Sequence, residues 1–252
     1  MVTVLQLSDT HLVEDEPDPV DPASPDAGVR RTLAALGDRR PDLVLITGDV
    51  TNDGSVEACR RLRALVEPLG APILATPGNH DFPRTVTEAF GTADTIELGG
   101  WRIVTVDTTI VGHDDGQVDV EAFCSRLDAV DTRPTLVALH HPPVSPSTHA
   151  MFYLAGATEL LDACAARPHV RGIVSGHLHE AFERTAGDIA LVGCPSTWYA
   201  IVHEGDTYRL ADDEFVGAHL FVLDDDGALS WERIERLPSR GSEVIAAVEL
   251  QP

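Results

Sequence analysis

The chain has 252 residues, 43% of them hydrophobic, and a formal net charge of −23. Its 18 basic side chains are all arginine. That length suits one α/β domain of generous size or two small ones, with enough core to fold without disulfide staples. The acidic surface disfavours nucleic-acid backbones and anionic membranes as partners. No apolar run approaches the roughly 20 residues of a membrane span, and the start of the chain lacks a basic n-region, so no signal peptide is expected.

Strand and helix signals alternate. "VTVLQLSD" is a short strand. "SPDAGVRRTLAALGDRR" is a helix, with Ser24 and Pro25 at its start and Val29, Leu33 and Leu36 at helical spacing. "PDLVLITGD" is a near-continuous apolar run, the mark of a parallel strand covered on both faces. "SVEACRRLRALVEPLG" is an amphipathic helix with Val56, Cys59, Leu62, Val66 and Leu69 on one side, closed by Gly70. "APILATPGNHD" is another strand that ends in polar residues.

"TIELGGWRIVTVD" reads as two strands around a Gly99-Gly100 turn. Then come a helix ("VDVEAFCSRLDAV"), a strand ("TLVALHH"), a helix ("TELLDACAA") and a strand ("VRGIVSGHLH"). From Ala181 onward short strands are expected, with turns at Ala186-Gly187-Asp188 and Asp225-Asp226-Gly227. Such alternation points to a parallel-rich sheet, and the hairpins to a second, more antiparallel one. We read residues 1–252 as one domain, with the strands from about 181 completing the second sheet. The Asp- and Pro-rich stretch from Glu14 to Pro25 is a surface excursion and a candidate lid. Cys59, Cys124, Cys164 and Cys194 form no C-x-x-C pair and read as buried thiols in a reducing compartment. A cytoplasmic location is expected.

Five apolar strands end on polar residues: Asp9 and His11, Gly48-Asp49, Gly78-Asn79-His80-Asp81, His140-His141, and Gly176-His177-Leu178-His179. Ligands of α/β sheets bind outside the carboxyl ends of strands. No Gly-rich nucleotide loop and no G-x-S-x-G elbow accompanies them. Instead the residues are nitrogen and oxygen donors, a set that suits Zn, Mn or Fe. Asp9, His11, Asp49, Asn79, His140, His177 and His179 are more donors than one ion needs. They fit two ions with one carboxylate shared, and two cations give the buried carboxylates and imidazoles their partner. His141, His149 and His169 read as surface or packing residues, and His113, in "GHDDGQ", reads as part of a loop.

"DTH", "GD", "GNHD", "HH" and "GHLH" in this order resemble the calcineurin-like metallophosphoesterase superfamily, from about Val4 to about Pro195. The "PDLVLITGDVTNDGSVEA…GNHD" stretch and "PST" resemble its bacterial class III cyclic-nucleotide phosphodiesterase branch. The resemblance implies a four-layer α/β/β/α sandwich. It implies Asp9, His11 and His179 on a first metal, Asn79, His140 and His177 on a second, and Asp49 as the bridge. His80 would be the catalytic histidine facing the phosphate, and Asp81 would orient it by a hydrogen bond. Two transition-metal ions roughly 3.5–4 Å apart suit in-line displacement at phosphorus by an activated water. The expected substrate is a small phosphodiester, with a 3′,5′-cyclic nucleotide such as cyclic AMP first. A phosphomonoesterase or nucleotidase, a glycerophosphodiesterase, or a non-catalytic scaffold are the alternatives. Neither nucleic acid nor membrane is expected as a partner, and oligomeric state is open.

Overall fold

The structure is a computed structural model that describes residues 1–15, 21, 23–128, 132–211 and 214–236. In chain order the first half runs β1 (Val2–Leu7), α1 (Pro25–Leu36), β2 (Leu43–Thr47), α2 (Val56–Val66), β3 (Ile73–Thr76), α3 (Pro83–Phe90), β4 (Thr95–Leu98) and β5 (Trp101–Val106). The middle contains β6 (Gly116–Gln117), α4 (Val120–Asp128), β7 (Thr135–Leu139), β8 (Leu154–Ala155), α5 (Ala157–Ala165) and β9 (Val170–Ser175). The regular elements that follow among the described residues are strands: β10 (Phe182–Ala186), β11 (Ile189–Gly193), β12 (Ala200–Glu204), β13 (Thr207–Ala211), β14 (Val216–Leu223) and β15 (Leu229–Arg236).

Local chemistry explains the element ends. Ser24 caps α1 by accepting from the Ala27 amide, and Ser55 caps α2 by accepting from the Ala58 amide. After α2 the chain tightens into a short 3₁₀ turn over Glu67–Leu69 and stops at Gly70, whose φ of 73° is left-handed. The expected Gly99-Gly100 turn joins β4 to β5 in an antiparallel pair.

Two mixed sheets form the centre. One has the order β15-β14-β1-β2-β3, the other β10-β11-β9-β7-β5-β4. Helical crossovers make β1, β2 and β3 parallel, as they do β5, β7 and β9. Because successive strand residues face opposite sides, each strand feeds two cores. Val2, Val4, Leu43 and Leu45 meet Trp101, Ile103, Leu136 and Ala138 between the sheets. Leu5, Leu7, Val44 and Ile46 pack outward on α1 and α2 through Val29, Leu36, Cys59 and Leu62. Val104, Val106, Val137 and Leu139 pack on α4 and α5 through Phe123, Leu127 and Leu160. Helices, sheet, sheet and helices are the four layers expected from the sequence.

The C-terminal strands correct one expectation. They do not all complete the second sheet. Only β10 and β11 join it; β12 and β13 pair with each other, and β14 and β15 return to the first sheet, where β14 lies antiparallel to β1. The physical reason is that β1 would otherwise be an unprotected edge of a buried sheet. Residues 16–20 and 22 of the candidate lid lie outside the described residues. Among the described residues no helix is long and apolar enough to cross a membrane.

Candidate active site

The carboxyl ends of β1, β2, β3, β7 and β9 release their chains toward one another. Backbone bonds lock the emerging loops: Asp9 N to Gly48 O, His11 N to Asp49 O, and Gly176 N to His140 O, each 3.0 Å. The approach is so close that side chains are excluded. A Cβ on Gly48, whose φ is +88°, would lie 2.5 Å from His140 Nδ1 and 2.7 Å from the Gly78 amide nitrogen. A Cβ on Gly78 would overlap the Asp49 carboxylate. The Gly before each of these polar residues therefore has a steric cause.

Strain collects in the same place. Among the described residues, the non-glycine positions with positive φ are Asp9 (52°), His11 (48°), Asp49 (48°), His177 (71°) and His179 (50°). All are candidate ligands. Left-handed backbone disfavours side chains with a Cβ, and such strain persists where the surroundings over-determine it.

The donors face inward. Asp9, His11, Asp49 and His179 form one buried cluster whose ligand atoms lie within 4.8 Å of one another, and His140, His141 and His177 form a second. In the first, His11 Nε2 and His179 Nε2 are 3.0 Å apart, and His179 Nε2 is 3.4 Å from Asp9 Oδ1. In the second, His140 Nε2 is 3.0 Å from Asn79 Oδ1. Asp49 Oδ2 lies between the two, 3.7 Å from His11 Nε2 and 3.5 Å from His140 Nε2.

Three histidines are aimed by backbone carbonyls. His140 Nδ1 donates to Thr47 O (2.8 Å), His177 Nε2 to Met151 O (2.9 Å) and His179 Nδ1 to Tyr199 O (3.1 Å). A carbonyl only accepts, so each bond puts the ring proton on that nitrogen and leaves a lone pair on the other. This is the usual support of a metal-ligating imidazole. Asp9 is fixed by the His177 amide, which donates to both of its oxygens (3.0 and 3.1 Å), and its own carbonyl accepts from Ser196 Oγ (2.7 Å).

Electrostatics agree with a cation site. Burial pushes His11 down to about 3 against the pull of Asp49, and pushes His177 well below the usual imidazole range, helped by His141 and His140. Burial would also lower His140, but the Asp49 carboxylate overrides it and raises this imidazole to about 9. Burial would raise Asp49, yet His140 and His80 hold it well below the usual carboxylate range. Asp49 is thus ionised and draws a proton onto His140, and a buried carboxylate requires positive charge beside it, a charge that a bound cation would supply. Oxygen and imidazole nitrogen donors in this number fit transition-metal ions.

His80 stands at the rim, exposed, with its ring edge-on to His11 at 4.8 Å between centroids. Its amide donates to Asp49 Oδ1 (2.9 Å). Asp81 does something other than expected. Its carboxylate accepts from the amides of Val50 (3.1 Å), Thr51 (2.9 Å) and Gly78 (3.0 Å) and from Thr51 Oγ1 (3.1 Å). Among the described residues the group nearest the His80 ring in hydrogen-bonding direction is the Asn52 carbonyl, 3.4 Å from Nδ1. Asp81 therefore clamps the loops after β2 and β3 together instead of orienting His80. Burial and the neighbouring Asp49 charge push it up to about 6.

His141, expected at the surface or in packing, is packing only. It is fully buried, with its ring 4.5 Å from that of His177. Its Nε2 donates to Asp114 O (3.1 Å) and its Nδ1 accepts from Thr108 Oγ1 (2.8 Å), so neither nitrogen is left for an ion. The His140-His141 doubling at a strand end was its sequence signal. His113 is exposed, and His149 Nδ1 accepts from the Met151 amide.

Comparison with known proteins agrees. Residues 2–181 match the calcineurin-like phosphoesterase family. A protein of Synechococcus sp. named a probable cyclic nucleotide phosphodiesterase is 35% identical over 214 residues, 78% of this chain and 80% of its own. The 3′,5′-cyclic adenosine monophosphate phosphodiesterase of Pseudomonas aeruginosa is 30% identical, with 98% of this chain and 93% of that one covered. A dimetal phosphatase from Danio rerio shares the fold with a TM-score of 0.62 at 12% identity, over 92% of this chain and 96% of that one. The chain belongs to the calcineurin-like phosphoesterases, a family of phosphoric ester hydrolases.

Proposed function

We propose that this chain is a dinuclear metallophosphodiesterase whose substrate is a 3′,5′-cyclic nucleotide such as cyclic AMP. The observation that carries the two-ion reading is Asp49 Oδ2, 3.7 Å from one imidazole nitrogen and 3.5 Å from another on the opposite sheet. A shared carboxylate oxygen needs that position. Asp9, His11 and His179 then serve the first ion and Asn79, His140 and His177 the second, with Asp49 common to both. Mn, Fe and Zn all suit these donors.

When bound, the ions supply charge neutralisation at the phosphoryl oxygens and activate a water as nucleophile. The chain's own residues do the rest. Asp9 and the carbonyl-anchored histidines keep the site in one geometry. The loop clamp of Asp81 holds Asn79 and His80 against Asp49. His80, at the rim, donates a proton or a hydrogen bond to the departing oxygen. In this reading the described sheets act as one domain in a cytoplasmic protein.

The cyclic-nucleotide substrate is supported by the names of the two relatives and by charge. A cyclic nucleotide carries one negative charge, which the ions and His80 can neutralise. A monoester carries up to about two near neutral pH, and must enter against a net charge of −23. The test uses the Mn- or Zn-reconstituted protein. The kcat/KM for an aryl phosphodiester should exceed that for the matching monoester, and cyclic AMP should be turned over. A ratio below one at low and high salt, without cyclic AMP turnover, would transfer the site to a phosphomonoesterase or nucleotidase. No turnover of any ester with the ions bound would make it a scaffold.

A further inference from the structure

A cavity of about 490 Å³ opens beside the second ligand cluster. Its walls include Asp115, Pro142, Pro143, Ser147, Phe152 and Tyr153. Pro142 and Pro143 directly follow His140 and His141. Phe152 joins cavity to cluster, because its ring meets that of His177 edge-on at 5.3 Å. The neighbouring Met151 carbonyl is the one that accepts from His177 Nε2. The cavity thus lies one side chain away from a candidate ligand.

Its walls are held in place. The Thr148 amide and Ser147 Oγ both donate to Gly205 O, at 2.8 and 3.2 Å, which ties this segment to the β12–β13 turn. The Gly116 amide donates to Tyr153 O (2.9 Å), which fixes the backbone from the other side. Yet the Tyr153 residue is 61% exposed, a large ring on a fixed backbone with little covering it. Two prolines and an aromatic floor are apolar and rigid. The hydroxyls of Ser145, Ser147 and Thr148 and the Asp115 carboxylate offer polar contacts, and among the described residues no arginine lines the cavity.

We propose that this cavity receives the base and ribose of the nucleotide, with the Tyr153 ring as the stacking surface for the base. The proposal rests on the phosphodiesterase reading above and names where the uncharged end of that substrate goes. Volume decides first, since nucleoside-sized ligands occupy clefts of about 300–1,000 Å³. Charge decides next. Among the described residues the wall carries a carboxylate and no arginine, which disfavours a second phosphate and suits a neutral group that donates hydrogen bonds, as an exocyclic amine or a ribose hydroxyl does. Stacking of a base on an exposed ring tolerates any base, so the cavity favours nucleotides as a class over one base among them.

The experiment pairs three variants with two readouts on the metal-loaded protein. Tyr153→Ala removes the stacking ring, Tyr153→Phe keeps it, and Ala150→Trp fills the cavity from an exposed position. KM for cyclic AMP should rise about tenfold in Tyr153→Ala, the loss expected for one base–aromatic stack, and at least as far in Ala150→Trp. Tyr153→Phe should match the parent. kcat/KM for methyl 4-nitrophenyl phosphate, a small diester, should stay within about twofold in all three. The second readout is calorimetric binding of 5′-AMP against inorganic phosphate, which needs no turnover. AMP should bind the parent more tightly than phosphate does, and the two disruptive variants should lose that advantage. Unchanged AMP binding and unchanged KM in both would overturn the proposal. A parent that hydrolyses the small diester but not cyclic AMP would overturn the substrate reading alone, and AMP binding would then decide the cavity.

Discussion

The Nε2 atoms of His11 and His179 lie 3.0 Å apart, two imidazole nitrogens pointed at each other inside the protein. The Tyr199 carbonyl holds the His179 proton on Nδ1, so its Nε2 offers a lone pair. Burial, ahead of the opposing pull of Asp49, pushes His11 down to about 3 and keeps it neutral. The His179 lone pair facing the His11 ring, with a carboxylate oxygen 3.4 Å from His179 Nε2, forms the inner wall of a candidate cation site.

From this follows a metal count. Protein saturated with Mn or Zn and then gel-filtered should carry two ions per chain by elemental analysis. His11→Ala and His140→Ala should each retain one, because they lie on opposite sides of Asp49. Asp49→Asn should weaken both sites, since its Oδ2 stands between them. A parent that saturates at one ion would remove the dinuclear reading.

His80 separates catalysis from binding. It is exposed and only its amide, which a substitution keeps, touches Asp49. His80→Ala should therefore hold both ions and melt at the parental temperature, while kcat falls roughly 10²–10⁴-fold, the range for a general acid. Loss of an ion in this variant would make His80 a ligand and reassign the set.

Much of this candidate site was legible along the chain because its candidate ligands follow apolar strands, and strand period and strand end are local signals. The five strained candidate-ligand positions and the glycines beside them were visible as "SDTH", "GD", "GNHD" and "GHLH" for the same reason. What was not legible depends on partners far away in sequence. The carbonyls of Thr47, Met151 and Tyr199 aim three histidines, and no residue type marks a carbonyl. Asp81 finds its donors at Val50 and Thr51, across a helix and a strand. The return of β14 to pair with β1 closes a loop of more than 200 residues, with Val2 opposite Leu223, and nothing local announces it.

Asp81 tests that long-range clamp. Asp81→Asn replaces one of the two acceptor oxygens by an NH2 group that donates, beside three backbone amides that also donate. An unsatisfied buried amide costs about 1–3 kcal/mol, so the melting temperature should drop by several degrees. Affinity for the second ion should fall with it, because Gly78 leads directly into Asn79. If the variant kept its stability and both ions and lost only kcat, Asp81 would act on the His80 ring after all.

The last prediction concerns acid stability and a histidine away from the candidate ligands. His219 on β14 is 1% exposed, lies opposite Gln6 and Arg233 on the flanking strands, and neither ring nitrogen has a hydrogen-bond partner among the described residues. Burial, and then the Arg233 charge, push it down to about 3. In the unfolded chain it returns to about 6.5. Between these values the unfolded state binds a proton that the folded state refuses, so stability falls as pH falls. The contribution is intact above about pH 6.5 and is lost progressively down to about 3. At pH 5 the loss amounts to about 2 kcal/mol, from 1.36 kcal/mol per unit. His219→Leu removes the titration and leaves an apolar group of similar size in the sheet. Urea unfolding at pH 7.5 and pH 5 should show the parent losing about 2 kcal/mol more than the variant over that interval. Equal losses would mean that His219 takes up its proton in the folded state, through a partner the present geometry does not contain.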